Sequence, residues 1–183
     1  MRPSDPKKGV WPTPDWLFQP LNARHRFDLD AAASASNAKC ARYFTVRTSA
    51  LARPWTSRCF WNNPPYGTEP STGVWVEYAR RQVEVGHAKS GCLLIPVKAE
   101  TAWYQDAVWG DCRVVASRKV TDGPLAGRWY RLREPLWDVE VLELRGRVSF
   151  STGGTKTETG FFASALVFFN APARPALLLG GTP

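Results

Sequence analysis

Cys59-Phe60-Trp61-Asn62-Asn63-Pro64-Pro65-Tyr66-Gly67 is the stretch on which the reading of this chain turns. Cys59-Phe60-Trp61 is a short hydrophobic run of strand character. The two prolines that follow have no N–H for a sheet ladder and hold φ near −65°. The residue before each proline is pushed away from the helical region. The segment therefore predicts a stiff, non-helical turn at the carboxyl end of a strand. Asn63 brings an amide side chain to it, Tyr66 an aromatic ring, and the prolines leave backbone carbonyls without neighbouring donors. Acceptors grouped beside a ring suit a flat ligand with an exocyclic amine, which offers N–H groups and a face to stack. The plainer alternative is a Pro-Pro turn with an exposed tyrosine.

Working outward, strands and helices alternate. Residues 74–85 carry apolar residues at helical spacing, with Val74, Tyr78 and Val85 on one face, and Gly86 is a natural stop. Cys92-Leu93-Leu94-Ile95-Pro96 is a continuous apolar run of the kind found in buried parallel strands. A second helix is expected over 101–109, closed by Gly110, and a strand over 112–116. Two late strands, 139–144 and 161–169, have no obvious helix between them and predict an antiparallel edge. Upstream, Trp11-Pro12-Thr13-Pro14-Asp15 leads into a helix ending near Leu21, with Thr13 or Asp15 as its cap. Arg26-Phe27-Asp28-Leu29-Asp30 reads as a strand that runs into Ala31-Ala32-Ala33-Ser34. A helical turn is expected over 37–43, a second strand at Tyr43-Phe44-Thr45-Val46, and loops over 53–58 and 68–73. Residues 1–10 read as a loose basic arm and 171–183 as a weakly packed tail. With 183 residues, the chain predicts one α/β domain over 1–170 with a mostly parallel sheet and an antiparallel edge.

The charge points to a polyanionic partner: 24 basic against 16 acidic residues leave a net charge of +8. Six of those basic residues, Arg113, Arg118, Lys119, Arg128, Arg131 and Arg133, fall in one stretch that holds a single acid, Asp122. Trp129 and Tyr130 lie among them. Cations interleaved with aromatic rings are the pattern of a nucleic-acid surface, so Arg118, Lys119, Arg128, Trp129, Arg131 and Arg133 are the candidate DNA-contacting set. A solvated hairpin with Trp129 in the core is the competing reading.

Several chemistries find no support. Cys40, Cys59, Cys92 and Cys112 lie far apart, and His25 and His87 are the only histidines, so no metal site is expected. Free thiols in apolar runs fit a reducing cytoplasm, and no run approaches the length of a membrane span. The glycine fingerprints of dinucleotide and P-loop sites are missing, and no Ser-His-Asp set is evident. In an open α/β sheet, ligands bind beyond the carboxyl ends of the strands. Two unusual elements fall at such ends: Asp28-Leu29-Asp30-Ala31-Ala32-Ala33 and Asn63-Pro64-Pro65-Tyr66.

These motifs, in this order, resemble a known family. Asn63-Pro64-Pro65-Tyr66 is similar to the fourth motif of amino-methyltransferases. Preceded by Trp11-Pro12-Thr13-Pro14, Phe27-Asp28-Leu29-Asp30-Ala31-Ala32-Ala33 and the segment 37–43, it resembles the phage-type, Dam-like DNA N6-adenine methyltransferases. The likeness is specific over residues 11–104 and weaker beyond. It implies one Rossmann-like domain that uses S-adenosylmethionine and double-stranded DNA in the cytoplasm of a bacterial or phage-infected cell. By resemblance, Trp11, Thr13, Pro14, Asp30, Ala31, Ala32 and Asn37 bind the cofactor. Asn63, Pro64, Pro65 and Tyr66 form the catalytic set. Residues 118–138 are longer than the family's usual connection, and 113–138 are expected to be a small basic, DNA-contacting insertion. The chain departs at Thr48-Ser49-Ala50, where the family often has an acid before Leu51.

The implied chemistry is physical. Adenine N6 is a poor nucleophile because its lone pair is delocalised into the ring. Hydrogen bonds from N6 to the Asn63 side-chain oxygen and the Pro64 carbonyl favour a more tetrahedral nitrogen, worth about 3 kcal/mol per group. The base must first be extruded from the duplex, and the Tyr66 ring is expected to stack on it. A cytosine-N4 enzyme is the nearest alternative, methyl transfer to RNA or a protein amide a further one. A non-catalytic nucleic-acid-binding module is the alternative of another class.

Overall fold

The structure, a computed structural model, describes residues 11–67, 69–108, 112–124, 126–127, 129–135, 139–151, 157–159 and 162–169. The expected arm, the expected tail, Gly110 and Arg128 lie outside the described residues.

Helix α1 (Asp15–His25) leads into β1 (Leu29–Asp30); β2 (Ser57–Asn62), α2 (Thr72–Glu84) and β3 (Ala88–Pro96) follow. A hairpin of β4 (Cys112–Lys119) and β5 (Trp129–Pro135) precedes β6 (Val139–Glu143), β7 (Ser149–Ser151), β8 (Thr157–Thr159) and β9 (Ser164–Phe169). The main sheet has the order β1-β2-β3-β9-β6. β1 pairs with β2, and β2 with β3, in parallel. β9 pairs antiparallel with both β3 and β6. Two of the four pairings are thus antiparallel, and the sheet is evenly mixed rather than mostly parallel. The parallel neighbours are joined by crossovers, residues 31–56 between β1 and β2 and α2 between β2 and β3, as parallel pairing requires.

Other boundaries shift for local reasons. α1 continues past Leu21 to His25, with Pro20 inside it. It stops where Arg26 turns left-handed, while the Asn22 carboxamide oxygen accepts the Phe27 N–H. Neither Thr13 nor Asp15 caps it. The N-cap is Pro14, and no side chain bonds the first turn. The strand expected over 26–30 pairs only at Leu29–Asp30. Its expected neighbour shrinks to a parallel bridge between Asp30 and Tyr43, beyond which the chain coils into 3-10 turns at Val46–Thr48 and Ala50–Ala52. Residues 37–43 turn without forming a helix. The helix expected over 101–109 is a π-helical turn at Tyr104–Val108.

The core lies on both sheet faces. α2 covers one with Trp75, Val76, Ala79 and Val83. Val74 and Val85, expected inside, point to solvent. α1 covers the other with Leu17, Phe18 and Leu21 against Trp61, Leu94 and Phe168. Along β3, Leu93 and Ile95 face one cluster while Cys92 and Leu94 face the other, which is the two-sided burial behind its unbroken apolar run. No helix among the described residues is long and apolar enough to cross a membrane.

Gly91 is the tightest point of this packing. A Cβ there would stand 2.1 Å from the ring of the fully buried Phe60. Gly91→Ala must displace that ring and should destabilise the fold by about 1–3 kcal/mol, read as a lower urea midpoint at unchanged slope.

Candidate active site

Parallel pairing of β1 with β2 brings their carboxyl ends to one side of the sheet, with Asp30 opposite Trp61. The two elements singled out above therefore meet. Between them lies a cleft of about 430 Å³. One wall is Trp11, Pro12 and Thr13; another is the β1 end, residues 30–34 with Asn37. Phe44, residues 45–46 and 49–51, and Trp75 complete the apolar side, and Trp61, Asn63, Pro65, Glu69 and Pro70 close the β2 end.

The Asn63 carboxamide is held on all sides. Its Nδ2 donates to the Trp11 carbonyl at 2.5 Å and to Thr13 Oγ1 at 3.0 Å. Its Oδ1 accepts from the Tyr66 hydroxyl at 2.5 Å. The Trp11 carbonyl can only accept, so it fixes which end of the amide is nitrogen. Both Nδ2 protons are then used. Oδ1 has two lone pairs, one of them engaged, so the amide can offer a newcomer one acceptor and no donor. The Tyr66 hydroxyl also lies 2.7 Å from the Leu94 carbonyl of β3, and its single proton serves one of these two acceptors at a time. Burial holds the Tyr66 phenol well above its ordinary pKa, so the hydroxyl remains a donor.

Asp30 is buried, and both its oxygens are engaged. Oδ1 accepts the Ala32 N–H at 3.2 Å and Oδ2 the Lys39 N–H at 3.0 Å. Asn37 Oδ1 accepts the Ser34 N–H at 2.6 Å. Lys39 Nζ reaches Asp15 on α1 at 2.6 Å, which ties the loop after β1 to that helix. Three alanines in this loop keep the wall shallow, so a ligand can approach the backbone closely.

The sequence matches the family described as DNA N-6-adenine-methyltransferase (Dam) over residues 2–179. The chain belongs to this family. It is 34% identical over 105 residues to the DNA N-6-adenine-methyltransferase of Escherichia phage T1, an alignment covering 56% of this chain and 42% of the phage protein. It is 40% identical over 63 residues to "Putative methyltransferase YfdM" of Escherichia coli (strain K12), covering 31% of this chain and 69% of that one. The chain thus spans less than half the length of the phage relative.

Of the residues that the resemblance to Dam family members singled out, Trp11, Thr13, Asp30, Ala31, Ala32, Asn37, Asn63 and Pro65 line the cleft. Pro14, Pro64 and Tyr66 do not line it. Pro14 is buried as the N-cap of α1, and Pro64 is buried within the turn. The Tyr66 ring, expected to offer a stacking face, packs edge-on against Phe162 with centroids 5.2 Å apart. Its ring is spent on the core and its hydroxyl on Asn63. Arg118, Lys119, Trp129, Arg131 and Arg133 lie on the β4–β5 hairpin, a two-stranded sheet of its own, with Arg118 opposite Tyr130 and Lys119 opposite Trp129. No cluster of three or more potential metal ligands occurs among the described residues.

Sequence reasoning passed over Thr45 and Val46, because an expected strand hid the 3-10 turn there, and it marked Ser49 and Ala50, which also line the cleft, only as a departure from the family pattern. It also passed over Asn62, fully buried beside Leu93 with neither amide atom paired among the described residues. A doubled asparagine at a strand end was the signal.

Burial raises the Asp30 carboxyl above the ordinary 3.8, against the opposing pull of its two backbone donors and Lys39. Within the window from 3.8 up to the raised value, the folded state binds this proton more tightly than the unfolded chain. The contribution of Asp30 to stability therefore falls as pH rises through that window, and the loss is complete above it. Urea midpoints of wild type and Asp30→Asn, taken from about pH 3 to about pH 7, should show wild type losing ground to the variant as pH rises. The reverse trend would mean that the donors outweigh burial.

Proposed function

We propose that this protein is a DNA methyltransferase that transfers a methyl group from S-adenosylmethionine to the N6 amine of adenine, extruded from double-stranded DNA. The observation that carries the reading is the Asn63 amide, locked so that it offers an acceptor at the end of a cleft. An exocyclic amine presents the complementary N–H.

The cleft fits the cofactor. Its volume is that of a small-molecule site, its walls are mainly apolar, and its polar groups are few and fixed. Trp11, Asp30, Ala31, Ala32 and Asn37 form the cofactor set in this reading; Thr13 lines the same cleft but commits its hydroxyl to Asn63, and Pro14 is buried outside the lining. Asp30 acts mainly by holding the loop shape, since both its oxygens already accept backbone N–H groups. Bound S-adenosylmethionine supplies an electrophilic methyl on a sulfonium centre. Asn63 Oδ1 accepts one N6 proton and the Pro64 carbonyl is the second acceptor, which together orient the nitrogen lone pair. Pro65 stiffens the turn that carries both. The apolar wall of Phe44, Leu51 and Trp75 excludes water and strengthens each hydrogen bond. Asn63 cannot take up a proton near neutral pH, so the proton released from N6 leaves to solvent. Arg118, Lys119, Trp129, Arg131 and Arg133 of the β4–β5 hairpin, together with Arg128, supply phosphate attraction and stacking.

Incubation with methyl-labelled S-adenosylmethionine and DNA free of adenine methylation, followed by nucleoside analysis, should yield N6-methyldeoxyadenosine. Label in N4-methyldeoxycytidine would give the cytosine-N4 reading, and no label would leave a binding module. Asn63→Ala should lower transfer by about 100-fold or more, while calorimetry shows cofactor binding retained.

A further inference from the structure

Thr13 does not do what its position suggests. It stands one residue before the N-cap of α1 and is 5% exposed, yet its hydroxyl makes no bond to the helix. The oxygen instead accepts from Asn63 Nδ2, 50 residues away in sequence. Trp11, two residues earlier, takes the other Nδ2 proton through its carbonyl. Without the Thr13 bond the amide would be held by the Trp11 carbonyl and by the Tyr66 hydroxyl, whose single proton is shared with the Leu94 carbonyl. Two divergent bonds from one nitrogen fix the amide plane, and with it the direction of the remaining Oδ1 lone pair. Pro12 and Pro14 hold this short segment extended, so both acceptors keep their places.

We propose that Thr13 is a positioning residue for methyl transfer, acting through Asn63 by fixing the plane of its amide. The inference rests on the adenine-N6 reading and deepens it. The segment 11–13 is then both a wall of the cleft and the anchor of the acceptor.

The test uses Thr13→Val, which keeps the branched shape and removes the acceptor, and Thr13→Ser, which restores it. Thr13→Val should lower kcat about ten- to a hundred-fold while the Kd for S-adenosylmethionine, by calorimetry, stays within about two-fold. Thr13→Ser should recover kcat to within about three-fold of wild type. If Thr13→Val weakens cofactor binding as much as it lowers kcat, or leaves kcat unchanged, the proposal is overturned. The second arm needs no activity. In a 15N-labelled protein, the Asn63 side-chain NH2 signals are assigned by their loss in Asn63→Ala. Both protons should exchange slowly with solvent in wild type, and one should exchange faster in Thr13→Val. An unchanged NH2 pair overturns the proposal even if the wild type transfers no methyl, an outcome that would sink only the functional reading. Should Thr13→Val fail to fold, Thr13→Ala carries both arms.

Discussion

One carboxamide ties together three parts of the chain that are distant in sequence. Through Nδ2, Asn63 holds the segment before α1; through Oδ1 and the Tyr66 hydroxyl, it reaches the β3 backbone at Leu94. Each neutral hydrogen bond contributes only about 1 kcal/mol net, but a buried partner left unmade costs about 1–3 kcal/mol. The network is therefore close to all-or-none. It sets the end of the cleft, the placement of residues 11–13 and the orientation of the Asn63 acceptor. The prolines on either side make this possible, since Pro64 and Pro65 fix the turn while Pro12 and Pro14 fix the segment that faces it.

The other end of the cleft rests on a second small device. Asp30 spends its carboxylate on the N–H groups of Ala32 and Lys39, which folds residues 31–39 back over the strand end. Burial opposes the charge and the donors support it. The result is a rigid loop whose small side chains leave room. Nearby, Cys40 is pushed up to about 12 by burial and the carboxylates of Asp30 and Asp28, so this thiol stays protonated and inert near neutral pH. The two strand ends thus hold a cleft in which the Asp30 carboxylate and the Asn63 amide nitrogen are already committed, while one Asn63 Oδ1 lone pair stays open.

Much of this was legible in the sequence because it depends on local chemistry. Proline geometry gave the turn after β2, and the unbroken apolar run gave β3. What escaped depends on partners distant in the chain. Thr13 looked like a helix cap, since nothing near it in sequence announces the Asn63 amide. Tyr66 looked available for stacking because its hydroxyl partner lies on β3 and its ring partner, Phe162, near β9. The polar–apolar spacing of α2 gave the helix but the wrong face, because Trp75 and Val76 outweigh Val74 and Val85 in buried area. Sheet polarity on the β9 side was only partly readable, since antiparallel pairing there is set by which strands meet. Gly91 shows the same limit: its need follows from Phe60 across the strand pair, not from any turn.

The account stands on the direction in which one amide faces. The most direct measurement is a crystal structure of the protein with S-adenosylhomocysteine and a duplex containing its methylation site. The account predicts an extruded adenine whose N6 lies about 2.7–3.2 Å from Asn63 Oδ1, with Nδ2 still on the Trp11 carbonyl and Thr13. An amide turned so that Nδ2 meets the base, or a base bound away from this cleft, would contradict it.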